Sequence, residues 1–285
     1  MRLAPLAVVA VAALAGTPSR AAAAPAPAPV TLVACAPGYP GTTAEAQPHM
    51  DAFAAALARA AGWPEGSVAA VYLPGEREGV ARLAKADAAV ALVPLPFLVE
   101  HGADLHLAPR MLVALQGGAG TETWTLLAKK RRVAKPADLA GFTVTSIAGY
   151  SPSFVRQALA GWGRLPAGVQ ISFSTQVLSS LRKAASGADV AVLLDGAQSA
   201  AVASLPFASD LETVARSEPL PQAFVATAGT RLPAARWKEL QGGLERLASD
   251  PQGAAALEGI RMSRFAPADP AALAAVKRLG GERAH

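Results

Sequence analysis

Residues Val30 to Ala36, VTLVACA, form a near-continuous apolar run that stops at Pro37-Gly38. A strand wetted on one side alternates polar and apolar residues, so a run without that alternation belongs in a sheet covered on both faces. Pro48 to Ala61 follows with apolar residues at helical spacing (Met50, Phe53, Ala54, Leu57, Ala61) and stops at Gly62, which reads as an amphipathic helix. Val68 to Leu73 is a second strand and Arg77 to Ala86 a second helix. Such β-α-β-α alternation predicts a parallel sheet sandwiched between helices.

An internal echo extends this plan. Arg82 to Leu92, ending in Ala86-Asp87 and an apolar run, is matched by Arg182 to Leu193 with Ala188-Asp189 and a second apolar run. The separation of about a hundred residues is too long for a solenoid repeat and suits two similarly built lobes. Met111 to Leu115, Thr123 to Ala128, Val169 to Phe173 and Ala223 to Ala226 read as further strands, and the tail from Pro233 reads as helical with breaks at Gly242-Gly243, Pro251 and Pro267-Pro270. Gly117-Gly118-Ala119-Gly120 lacks the Gly-Lys-Ser/Thr ending of a nucleotide-phosphate loop and reads as a flexible connection.

The ends and the charge narrow the setting. Arg2, the apolar Leu3 to Gly16 and the small residues Ala21 to Ala24 fit a signal peptide over 1–24, which is too short in its apolar part for a membrane anchor. Residues 25–29 continue as a stiff Pro/Ala tether. The formal net charge of +5 falls to +3 once Arg2 and Arg20 leave with the leader, so the chain has no nucleic-acid signature. Lys129 to Arg132 reads as a solvated turn rather than an anion-steering patch. The single Cys35 forms no internal disulfide. Leu32 to Cys35 matches a lipobox, yet Arg20 and the tether separate it from the apolar leader, so the preferred reading is a buried strand cysteine in a soluble periplasmic protein.

One stretch carries the binding chemistry. Gly141 to Leu159, GFTVTSIAGYSPSFVRQAL, runs from a short β-branched strand through Gly149 to a helix start, with Ser151 at the N-cap and Pro152 in the first turn. A helix start at a strand end presents unpaired N–H groups that hold an oxyanion. The same residues also fit an ordinary βα turn whose serines only cap the helix.

In this order the pieces resemble the phosphonate-binding family of periplasmic solute-binding proteins, which serve ABC importers. The resemblance rests on the strand ending in Gly38-Tyr39-Pro40, on Val93-Pro94-Leu95-Pro96-Phe97, on Asp138-Leu139-Ala140-Gly141, on Ser146-Ile147-Ala148-Gly149-Tyr150, on the second Ala-Asp strand and on Ser217-Glu218-Pro219-Leu220-Pro221. It implies a two-lobed α/β fold of type II, with mostly parallel sheets flanked by helices and a ligand cleft between lobes. Lobe 1 would take 30–120 and 223–285, lobe 2 121–222, with crossings near Gly117 to Thr123 and Glu218 to Phe224. It implies a small oxyanion held by Ser146, Gly149, Tyr150, Ser151 and Ser153, flanked by Tyr39 and Phe97, with Asp195 facing any cationic group. Ala148 stands where many relatives carry a second hydroxyl, and no histidine lies between His106 and His285, which moves the ligand from a phosphonate or phosphate ester toward a sulfonate or carboxylate.

The implied partners are the small anion and a membrane permease, for a monomer that needs no cofactor, no metal and no nucleic acid. A ligand-sensing subunit for a signalling receptor such as a sensor kinase is the alternative that sequence does not separate from transport. An enzyme acting on a small acid fits less well. His49, His101, His106 and His285 are scattered, no Gly-x-Ser-x-Gly turn occurs, and Asp87, Asp189 and Asp195 have no evident partner base.

Overall fold

The computed structural model describes residues 29–118 and 120–281; the expected signal peptide, nearly all of the tether, and His285 lie outside them. The chain begins with β1 (Val30–Cys35), α1 (Thr43–Ala60), β2 (Val68–Leu73), α2 (Glu76–Leu83), β3 (Ala88–Pro94), α3 (Leu95–His101) and β4 (Leu107–Leu115). It passes through the short β5 (Thr121–Glu122) into β6 (Thr125–Lys129), β7 (Thr143–Ser146), α4 (Pro152–Ala158), β8 (Gln170–Phe173), α5 (Val177–Ser186), β9 (Val190–Leu194), α6 (Gly196–Ala201) and β10 (Leu211–Arg216). It returns through β11 (Leu220–Pro221) to β12 (Ala223–Ala228), α7 (Ala234–Arg246), α8 (Pro251–Gly259), β13 (Met262–Pro267) and α9 (Pro270–Gly280).

These strands build one sheet in each lobe. The first has the order β13-β4-β12-β3-β1-β2 and the second β10-β6-β9-β7-β8, while β5 and β11 pair with each other where the chain runs between them. Within each sheet a β-α-β-α-β unit recurs. β1 pairs in parallel with β2 and β3, as β7 does with β8 and β9. The antiparallel neighbour of β3 is β12 and that of β9 is β6. The strands that echo each other in sequence, β3 and β9, thus hold equivalent places.

Burial on both faces explains the uninterrupted apolar runs. Val33, Cys35, Ala91 and Val93 point into one buried cluster, while Leu32, Ala34, Val90 and Leu92 point into another beneath α1, α7 and α8. Each fully buried Val or Leu contributes on the order of 1.5–3 kcal/mol, so neither face tolerates a polar residue cheaply. Cys35 is fully buried, which pushes its thiol up to about 12.

Several local expectations need correction. Pairing is mixed rather than mostly parallel, because β12 and β13 enter the first sheet, and β6 and β10 the second, antiparallel to their neighbours. α1 starts at Thr43, well before Pro48, since Thr42 and Glu45 form a reciprocal capping box. Gly242-Gly243 does not break α7: a Cβ on Gly243 would lie 2.9 Å from the Ala61 nitrogen, so glycine here permits close helix packing. β13 replaces a helical reading of the tail. It is an edge strand with Phe265 as its buried residue, too polar to announce itself. The Lys129–Arg132 stretch, by contrast, is an exposed turn over 130–132 as expected, and it also meets α5 at its carboxyl end, where Lys129 Nζ donates to the Ala185 carbonyl at 2.7 Å and Arg132 to that of Gly187 at 2.6 Å.

Candidate functional site

The loop after β7 is folded on itself by its own polar atoms. Ser146 Oγ accepts from the Ala148 N–H at 3.1 Å, and the Ser146 carbonyl accepts from the N–H groups of Gly149 and Ser174, each at 3.1 Å. Gly149 is required by proximity: a Cβ there would lie 2.2 Å from the Ser172 carbonyl oxygen. Tyr150 turns its ring edge-on to Phe173, with 5.8 Å between centroids. Burial raises the Tyr150 phenol well above its ordinary range, with Tyr39 and Cys35 adding to the effect.

Ser151 occupies the N-cap of α4 but makes no side-chain cap bond. Its ψ of 81° departs from the extended backbone that caps normally use. The side chain is fully buried and its Oγ has no hydrogen-bond partner. Trp124 Nε1 is a second buried polar atom without a partner, and its ring meets Phe154, one turn along α4, at 5.1 Å. Ser153 reaches across to the first lobe, donating to Glu100 Oε2 at 3.3 Å.

From the first lobe, the loop after β1 brings Tyr39 to the same cleft. Its hydroxyl donates to Asp195 Oδ2 at 3.4 Å, joining the lobes. Asp195 caps α6 through a 2.7 Å bond from the Gln198 N–H, in a capping box with that residue. Burial holds its carboxyl above the usual range, against the stabilising N–H of Gln198 and hydroxyl of Tyr39. Beside it Glu122 Oε2 accepts from the Gly196 N–H at 3.0 Å. Burial carries the Glu122 carboxyl up to about 7, opposed by that N–H and assisted by the neighbouring Asp195 charge.

The structure places Ser146 at the end of β7, Gly149, Tyr150 and Ser151 in the loop that follows and Ser153 in the first turn of α4, and it sets Tyr39 and Asp195 across from each other. Phe97 is wholly buried in α3, its ring tilted against that of His101 with 4.8 Å between centroids, and it belongs to a core cluster that also holds Trp124 and Phe154. The apolar motif that suggested it serves the core beneath. Glu122, Trp124 and Gln222 were not anticipated. A glutamate between threonines and a glutamine before a strand carry no periodic signal, and their roles arise only from the crossing of the two connecting segments.

Two cavities border the cleft. One of about 880 Å³ is walled by the carboxyl ends of β1 and β3, by the start of α1 and by Ile260 to Met262, with Tyr39 and Ala197 at its interlobe side. The other, about 800 Å³, lies among Tyr39, Ile147, Gln176 and Gln198.

The structure is similar to that of XAC2383 from Xanthomonas citri, solved with chloride, at TM-score 0.69 and 16% identity, covering 88% of this chain and 96% of that one. It is similar to a binding component of an ABC phosphonate transporter from Pseudomonas aeruginosa, at TM-score 0.60 and 12% identity, covering 88% and 85%. PhnD1 from Prochlorococcus marinus, in complex with methylphosphonate, aligns at TM-score 0.59 and 15% identity, covering 90% and 98%. No curated protein matches the chain in sequence. A family model for periplasmic substrate-binding proteins of phosphonate ABC transporters matches residues 42–273. A match of that extent settles kinship where the distant structural likenesses define only the type II two-lobed fold, and the chain belongs to the phosphonate periplasmic substrate-binding protein family of ABC transporters.

Proposed function

We propose that this chain captures a small organic oxyanion between its lobes and delivers it to the membrane permease of an importer. The observation that carries the reading is the buried, unpartnered Ser151 hydroxyl at the start of α4. Leaving such a group unsatisfied costs on the order of 1–3 kcal/mol, which a ligand oxygen at that point would offset. Trp124 Nε1 is a second idle donor beside the same helix. Ser146 keeps its own hydroxyl proton free to donate, since its oxygen serves as acceptor for Ala148.

In this reading residues 30–120 and 223–285 move as one lobe and 121–222 as the other, bending at the β5–β11 ribbon. Tyr39 and Asp195 act as a clasp, and Asp195 also meets any ammonium on the ligand. Export by a leader over 1–24 fits the family's periplasmic setting, and no helix among the described residues is long and apolar enough to cross a membrane. Lipidation at Cys35 would remove five of the six residues of β1, an interior strand paired on both sides, so a mature start between Ala22 and Ala26 is the consistent one. Mass spectrometry of exported protein reads that start directly.

Calorimetric titration with methylphosphonate, 2-aminoethylphosphonate, ethanesulfonate and acetate tests the ligand class. At a hundred times its dissociation constant a true ligand stabilises the fold by about 2.7 kcal/mol. Ser146→Ala weakens binding by about 1.5–3 kcal/mol if its hydroxyl meets a full negative charge. Equal affinity in the parent and in the Ser146→Ala and Ser151→Ala variants would reduce the loop to a helix start.

A further inference from the structure

The larger cavity is out of proportion to a bare oxyanion. At about 880 Å³ it falls among pockets that enclose ligands of drug-like size, about 300–1,000 Å³. Its walls are largely apolar, with Ala34, Met50, Leu92, Leu115, Ile260 and Met262 among them, although Glu45, His49, Gln116 and Arg261 also line it. An apolar chamber of this size filled with water leaves a large favourable transfer unused. Gln222, also on its wall, has a buried Oε1 with no hydrogen-bond partner. That acceptor lies on the segment returning from the second lobe, away from the Ser146–Ser153 loop, so an anionic head does not satisfy it.

Tyr39 stands between this chamber and the second cavity, where Ile147 belongs to the loop after β7. It lines both cavities, its hydroxyl reaches Asp195, and its carbonyl receives the Tyr72 hydroxyl at 3.5 Å. Ala197, in the first turn of α6, closes the chamber from the second lobe. The chamber is thus a second compartment of the interlobe cleft, formed when the lobes meet.

We infer that the cleft is built for an amphipathic organic oxyanion: an acidic head at the loop after β7, an apolar body of several carbons beside α1, and a hydrogen-bond donor on that body facing Gln222. This deepens the oxyanion reading and rests on it. Chloride and methylphosphonate, held in two of the similar structures, lack such a body, whereas the Xanthomonas citri protein is also solved bound to ATP. The compartment is inferred from the walls of this chain.

A homologous series tests it. Methyl-, butyl- and hexylphosphonate are titrated calorimetrically into the full mature chain. Affinity rises by up to about fourfold for each methylene taken out of water. Ala46→Phe, which fills the chamber from α1, and Met262→Trp, which fills it from the opposite wall, bring hexylphosphonate down to the affinity of methylphosphonate. Circular dichroism melts identify a variant that has lost its fold, and the two fillings stand independently. If methylphosphonate binds and the series is flat or declining, the compartment is refuted and the oxyanion reading stands. If no phosphonate of any length binds, nor the corresponding sulfonates and carboxylates, both fall together.

Discussion

β7 and β9 lie side by side in parallel, and each runs through a turn into a helix start, but the two turns treat that start in opposite ways. At α6 the protein supplies its own anions: Asp195 takes the Gln198 N–H and Glu122 takes that of Gly196. At α4, Pro152 removes one donor, and the Ser151 hydroxyl is buried without a partner. A helix start attracts negative charge whatever its source. One start is already occupied by carboxyl groups; the other, in the proposed reading, is where an incoming anion finds unused donors. The same carboxylates repel an anion from α6 and favour a ligand that carries a positive group on that side.

The largest effect expected from this contrast is a pH dependence. Glu122 is ionised with difficulty because it is buried, so its folded value of about 7 lies above the ordinary 4.5. The native state then binds more protons than the unfolded chain between those values. Stability is fully present below about pH 4.5 and falls by about 3 kcal/mol as pH rises through 7. Asp195, raised in the same direction, steepens the fall from its own ordinary value upward. Urea melts from pH 4.5 to 8 measure it, and Glu122→Gln flattens the curve. An unchanged slope in that variant would mean that water reaches the carboxylate and that the α6 start is not sealed.

Next is Ser151→Ala, where binding and stability should part company. Binding of an oxyanion weakens by about 2 kcal/mol, roughly thirtyfold, because a hydrogen bond to a charge is lost. The free protein keeps its melting temperature or gains slightly, since an unsatisfied buried hydroxyl has been removed. The reverse pattern, a lower melt with unchanged affinity, would make Ser151 an ordinary cap and erase the difference between the two turns.

How far these turns were legible in sequence follows from what each depends on. The βα units were readable because burial on two faces forces long apolar runs, and the Gly149 turn because few residues fit it. The capping box at Thr42 and Glu45 is equally readable from residue type, but Pro48 suggests a later start. Ser151 was recognised as a cap by residue type, and type alone does not reveal that its hydroxyl turns away. Glu122 gained its meaning when β5 met α6 from another part of the chain. Phe97 shows the converse: a residue in a recognised motif whose ring is taken up by the buried core.

At α6 the carboxylate itself can be tested. Asp195→Ala removes the cap, which costs about 1 kcal/mol of stability, whereas Asp195→Asn keeps a good N-cap and, by removing a buried charge, costs no stability at neutral pH. Asn nevertheless loses the charge, so Asp195→Asn lowers affinity for 2-aminoethylphosphonate and leaves that for methylphosphonate unchanged. Thermal melts and titrations of the two variants separate capping from recognition. Equal loss for both ligands would show that Asp195 acts through its bond to Tyr39, by holding the lobes together.

The smallest effect belongs to Ser153, which lies on α4 but bonds away from the loop, to Glu100 on α3. At 3.3 Å and partly exposed, the bond contributes about 0.5 kcal/mol. In the proposed closure it forms only when the lobes meet, so Ser153→Ala is expected to lower the closed fraction, and apparent affinity with it, by about twofold. Because Ser153 acts on closure, the factor is the same for methylphosphonate and ethanesulfonate. Ser151→Ala, by contrast, discriminates between them, since the two heads differ in charge and in the number of oxygens they offer. Parallel titration of both ligands into both variants gives four ratios. A Ser153 effect that varies with the ligand would move this residue from the hinge side of the argument into the anion site, and α4 would then present a second hydroxyl to the ligand in place of the one that Ala148 lacks.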